Sequence, residues 1–154
     1  MKIYLAAPLF SQAERVYNRR LKEMLERLVP SCQVTLPQDF RIGHGRSYND
    51  RRHLSALYRQ CIEALKQSDL LLARLDGADA DSGVAFEVGF ARGIGKPVIG
   101  IRTDYRQLQD RGLNMMLAQG CTEVMCRFSF DERLEPMAEA LVGRIEKALA
   151  ARTR

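Results

Sequence analysis

The chain has 154 residues, enough for one domain with a sizeable core. It is 46% hydrophobic and 28% charged, the balance of an ordinary soluble globular protein, and its net charge of +5 is a mild basic excess. Only Arg46, Arg51 and Arg52 cluster, with no basic block, aromatic stacking series or zinc-finger spacing, so a nucleic-acid polymer is excluded as the expected partner.

The chain enters its first predicted strand, residues 2–6, directly, so no signal peptide is expected, and no apolar run is long enough to span a membrane. Residues 11–28 follow with helical spacing, placing Val16, Leu21, Met24, Leu25 and Leu28 on one side. A strand is predicted over 32–36, then a long loop over 37–49 in which His44 sits between two glycines. Residues 50–67 form a second helix with Leu54, Leu57, Cys61, Ile62 and Leu65 together, where Cys61 reads first as core. Strand 69–75 leads through Asp76-Gly77, a turn signal, into helix 83–94. Gly93-Ile94-Gly95-Lys96-Pro97 reads as a helix stop before strand 97–102, since it lacks the ending and the position of a phosphate loop. A second long loop over 103–120, a strand over 121–125 and an amphipathic helix over 132–151 complete the chain.

Apolar strands without alternation suit a sheet covered on both faces. The strand–helix alternation predicts an α/β fold, a flavodoxin-like or Rossmann-like three-layer sandwich with a five-stranded, mainly parallel sheet. Residues 1–150 form a single domain and 151–154 a frayed tail. Cys32, Cys61, Cys121 and Cys126 lack CxxC spacing and lie in or beside apolar segments, which predicts reduced thiols and a cytoplasmic location. With two histidines and no ligand-spaced carboxylates, no metal is expected.

Residues 79–92 carry the strongest chemical signal. Glu87 is the single carboxylate in the small, apolar run from Val84 to Ala91. A charge there is costly to bury unless it has a task or a partner. Its place early in a helix, after the C-terminal end of a strand, favours ionisation and marks it as a candidate nucleophile. An ion pair with Arg92 or another base is the bland alternative. Asp81 reads equally as a helix cap and as an acceptor for a ligand hydroxyl. Tyr4 reads as core, with a hydroxyl able to reach a carboxylate at a strand end.

Lys2-Ile3-Tyr4-Leu5-Ala6-Ala7-Pro8-Leu9-Phe10, Ser68-Asp69-Leu70, the stretch Asp81 to Ala91 and Lys96-Pro97-Val98 resemble the nucleoside 2-deoxyribosyltransferase family in order and over nearly the whole chain. Asp-x-Gly-x-x-x-Glu-x-Gly is the specific part. The resemblance implies transfer of a 2-deoxyribosyl group between nucleobases through a covalent glycosyl-Glu87 intermediate. It implies Tyr4 as the group orienting Glu87 and Asp81, beside Gly83, as the holder of the sugar 5′-hydroxyl. It implies Asn114 and Met116 as residues lent by a neighbouring subunit, and Gln38 as a contact to the base. It further implies no cofactor, free nucleobases and 2′-deoxynucleosides as partners, and a homo-oligomer (dimer, tetramer or hexamer) with shared sites. One departure stands out: where many members carry an aspartate that handles protons on the base, this chain has Cys61, a poor general acid, so either another group such as Asp39 or water does that work, or base selection and rate differ. Two rivals remain: an N-glycosidase acting on nucleosides or nucleoside 5′-monophosphates, and a non-catalytic nucleotide-binding module. The charge of Asp81 disfavours a phosphate at the 5′ position.

Overall fold

The structure, a computed structural model, describes residues 1–40, 50–106, 113–130 and 133–152. His44, Arg46 and Gly112 lie outside the described residues. Five strands, β1 (Lys2–Ala6), β2 (Gln33–Thr35), β3 (Leu70–Arg74), β4 (Val98–Arg102) and β5 (Glu123–Cys126), form one sheet in the order β2-β1-β3-β4-β5. Every pairing is parallel, with Tyr4 in register with Thr35 on one side and Leu71 on the other. The expected α/β sandwich is therefore present, and its sheet is parallel throughout rather than mainly so.

Helices α1 (Gln12–Leu28), α2 (Arg51–Gln67), α3 (Ser82–Gly93), α4 (Met115–Gly120) and α5 (Glu135–Arg152) flank the sheet. The pleat sends alternate residues of β1 to opposite layers. Ile3 and Leu5 join Leu21 and Leu25 of α1 and Leu141 and Ile145 of α5. Tyr4 and Ala6 join Leu65 of α2, Val84 and Val88 of α3 and Leu117 of α4. No described helix is long and apolar enough to cross a membrane.

Local chemistry sets the helix boundaries. Ser11 and Glu14 form a reciprocal capping box at the start of α1. Asp50 caps α2 through the Arg52 N–H. The segment after α3 is a helix stop, as expected: Gly95 turns the chain at φ +73°, and the Lys96 ammonium donates to the carbonyls of Lys66 and Ser68. Asp76 does more than turn the chain. Its oxygens accept from the Thr103 and Asp104 N–H groups and the Thr103 hydroxyl, joining the loops that leave β3 and β4.

Three expectations change. The long loop over 103–120 contains α4, because Asn114 caps a short run that buries Leu117 against α3. A 3-10 turn, Pro37–Asp39, follows β2 where a structureless loop is expected. The apolar stripes are also not all core: Val16 on α1 and Leu54 on α2 are exposed, because both sit where a helix borders an open cavity rather than the sheet.

Candidate functional site

Strand order reverses direction between β1 and β3, and ligands of open α/β sheets bind outside the strand ends at such a point. A cavity of about 460 Å³ opens there. Phe10, Phe40, Leu54 and Leu57 give it apolar walls, and Arg15, Gln38, Asp81 and Glu87 supply polar groups. A larger cavity, about 610 Å³, lies between α1 and the start of α5 and has no carboxylate among its described lining residues. Chemistry, rather than volume, singles out the smaller one.

Glu87 reaches the cavity because of its position on α3. Val84, Val88 and Ala91 form the buried stripe of that helix, and residue 87 falls beside the stripe at helical spacing. The carboxylate therefore points toward the sheet, half-buried, instead of out to solvent. There the Tyr4 hydroxyl donates to Glu87 Oε1 at 2.5 Å. Burial, then the neighbouring Glu87 charge, pushes the Tyr4 hydroxyl far above its ordinary range, so it remains a donor at all working pH values. The Arg92 pair considered for Glu87 does not form: among the described residues, its hydrogen-bond partner is Tyr4.

Glu87 does not show the ionisation that its helical position favours. Burial raises its carboxyl from 4.5 to about 7; the Tyr4 hydrogen bond opposes that rise and the Asp81 charge adds to it. Glu87 sits in the second turn of α3, beyond the strongest reach of the helix end, so desolvation wins. Near neutral pH the group is poised between acid and carboxylate, a perturbation that marks it as a candidate functional group.

Asp81 is the cap of α3, accepting the Val84 N–H at 3.0 Å through Oδ1, and it also lines the cavity. The two readings of this residue are thus compatible, since capping uses one oxygen. At Gly83 an added Cβ would come within 3.0 Å of Asp81 Oδ1, so a side chain there would push the carboxylate aside. Gln38, in the 3-10 turn, lines the same cavity. The structure thus brings Glu87, Tyr4, Asp81, Gly83 and Gln38 together.

Asn114 and Met116 are not brought to this cavity within the chain. Asn114 caps α4 by accepting the Met116 N–H at 2.9 Å, and Met115 and Met116 are 58% and 73% exposed. Cys61 lies where the family resemblance sets it and not in the core that its apolar stripe suggests. It lines the cavity rather than the core, and its thiol faces the Tyr4 hydroxyl. Burial raises that thiol, so it stays neutral beside Glu87. Asp39, a possible substitute acid, is held by Arg19 in two hydrogen bonds of 3.2 and 2.6 Å and does not line the cavity.

Tyr4→Phe is expected to move the Glu87 titration, followed by carboxyl NMR, to higher pH. The lost hydrogen bond lowers the Glu87 pKa, so its removal raises the pH needed for ionisation. A titration identical to wild type would show that the hydroxyl does not bear on Glu87.

A family model described as nucleoside 2-deoxyribosyltransferase matches residues 3–140. A nucleoside deoxyribosyltransferase of Limosilactobacillus fermentum is 27% identical over 128 residues, covering 79% of this chain and 76% of that protein. The solved structure of a conserved protein from Enterococcus faecalis V583 superposes with a TM-score of 0.74 at 30% identity, covering 94% of this chain and 98% of that one. A 2-deoxyribosyltransferase from Bacillus psychrosaccharolyticus superposes with a TM-score of 0.68 at 21% identity, covering 81% of this chain and 85% of that one, a likeness of fold.

Proposed function

Because the chain belongs to the nucleoside 2-deoxyribosyltransferase family, we propose that it transfers the 2-deoxyribosyl group between nucleobases of free 2′-deoxynucleosides. The observation that carries this reading is the 2.5 Å contact between Tyr4 and a half-buried Glu87 inside a cavity with apolar walls. Tyr4 occupies Oε1 and leaves Oε2 of the ionised carboxylate to attack C1′. The C1′–N bond breaks through an oxocarbenium-like transition state, and the base departs with the bonding pair and takes a proton from solvent. The product is a deoxyribosyl ester on Glu87. A ring nitrogen of a second base then attacks C1′ from the face the first base left, expels the carboxylate and loses its proton to solvent. Two inversions give net retention. Tyr4 favours the second step too, because its hydrogen bond is stronger to the departing carboxylate than to the ester.

Neutral Cys61 leaves leaving-group protonation to water, which predicts a dependence on bases that depart easily. Asp81 would accept a hydrogen bond from the sugar 5′-hydroxyl through the oxygen that capping does not use. Asn114 and Met116 would come from a second copy: the exposed faces of Leu54, Tyr58 and Phe86, together with Met115 and Met116, offer it an apolar contact surface. Nothing in this scheme requires a cofactor.

The test is base exchange between deoxyinosine and adenine, following deoxyadenosine, hypoxanthine and free deoxyribose, with deoxyinosine 5′-monophosphate as a parallel donor. Deoxyadenosine is the expected main product, and the monophosphate is expected to react on the order of tenfold more slowly or worse, because Asp81 repels a phosphate. Free deoxyribose in place of deoxyadenosine would make the protein a hydrolase. A faster monophosphate reaction would remove Asp81 from the 5′ position.

A further inference from the structure

A chain of side-chain hydrogen bonds runs from the core to Gln38. Arg74, at the end of β3 and 7% exposed, donates from Nη1 to Asn18 Oδ1 at 2.9 Å. Asn18, on α1 and 2% exposed, donates from Nδ2 to the Pro8 carbonyl at 2.9 Å and to Gln38 Oε1 at 3.1 Å. Gln38 Nε2 donates in turn to the Arg15 carbonyl at 3.0 Å. Arg74 is itself held, with its guanidinium 5.0 Å above the Tyr17 ring and its Nε 3.9 Å from Asp76.

The polarity of this chain is set from both ends. An arginine can only donate and a backbone carbonyl can only accept. Asn18 must therefore turn its oxygen to Arg74 and its nitrogen to Pro8 and Gln38. Gln38 must turn its oxygen to Asn18 and its nitrogen to Arg15. Reversing either amide would set donor against donor and acceptor against acceptor, in a buried place for Asn18 and in a half-buried one for Gln38. One lone pair on Oε1 and one hydrogen on Nε2 are what Gln38 has left to offer the cavity.

We propose that Arg74 and Asn18 lock the Gln38 amide in one orientation, making Asn18 a specificity-determining positioning residue that sets discrimination between amino and oxo nucleobases. The proposal rests on the reading of this cavity as the seat of a nucleobase. Adenine and cytosine present an amino donor beside a ring-nitrogen acceptor. Hypoxanthine and uracil present a carbonyl acceptor beside a ring N–H donor, the reverse order. A freely turning glutamine satisfies either class, whereas a locked one satisfies only one.

The test compares kcat/KM for deoxyadenosine over deoxyinosine and for deoxycytidine over deoxyuridine. The proteins are wild type, Asn18→Asp, Asn18→Ala, Gln38→Ala and the double variant Asn18→Asp with Gln38→Ala. Wild type is expected to favour one class on the order of tenfold. Asp at 18 still accepts from Arg74 but cannot donate, so it draws the Gln38 amino group toward itself. Both ratios then move toward the opposite class, again on the order of tenfold. Asn18→Ala releases the amide and brings the ratios toward parity. Thermal melts identify which Asn18 variant is folded, and either one decides the matter. In the Gln38→Ala background Asn18→Asp is expected to move neither ratio, a result that general damage to the fold would not produce. Unchanged ratios in a folded Asn18 variant, or the same change without Gln38, would overturn the lock. Wild-type ratios in Gln38→Ala would overturn it too, by removing Gln38 from the base, while base exchange by wild type in the same assay keeps the proposed activity standing.

Discussion

Glu87→Gln is expected to reduce base exchange by a factor on the order of 10⁴ or more and, at the same time, to stabilise the protein at pH 8. The loss follows from the missing nucleophile, since an amide of the same shape can still accept from Tyr4 but cannot form the ester. The gain follows from linkage. The folded protein holds the Glu87 proton up to about 7, above the ordinary 4.5. A carboxyl whose pKa rises on folding costs nothing below about 4.5, becomes a growing cost as pH rises through that window, and reaches its full cost above about 7. That full cost is on the order of 3 kcal/mol. Glutamine never ionises, so the variant escapes it. Melting curves at pH 8 should show the variant higher, by roughly 2–4 °C for each kcal/mol, and curves at about pH 4 should nearly coincide. Intact-mass measurement of wild type mixed with deoxyinosine should reveal a deoxyribosyl adduct on Glu87. An active variant would mean that Glu87 is not the nucleophile, and one that melts lower than wild type at pH 8 would mean that it is not a strained charge.

Mixing inactive Glu87→Ala with inactive Asn114→Ala is expected to restore part of the activity. Asn114 uses Oδ1 to cap α4, which leaves its amide hydrogens to donate. It does not reach the Glu87 cavity within the chain. If a second copy supplies it, some mixed assemblies hold Glu87 from one chain and Asn114 from the other. Subunit exchange is followed by native mass spectrometry, and activity by deoxyadenosine formation. A monomer by light scattering at assay concentration, or no recovered activity after proven exchange, would rule out a shared site.

The alternation of apolar runs and helical stripes foretells the α/β sandwich because each strand is buried on both faces and each helix on one. Such burial is recorded locally, within a few residues. Glu87 stands out for the same reason: one carboxylate in an apolar stretch is visible without any partner. The meeting of Tyr4 and Glu87 is of another kind. They are 83 positions apart, and only the β2-β1-β3-β4-β5 order sets β1 against α3. Without the family resemblance, nothing near Tyr4 separates it from core. Cys61 follows the same logic. Its helical stripe is apolar whether it faces a sheet or a cavity, and periodicity cannot tell the two apart. The link among Asn18, Arg74 and Gln38 leaves no trace in the sequence, because three polar residues on α1, β3 and a 3-10 turn become one hydrogen-bonded chain only when those elements converge. The charge state of Glu87 is the sharpest case. Its place in α3 favours ionisation, and burial against the sheet, a property of the assembled layers, reverses that preference.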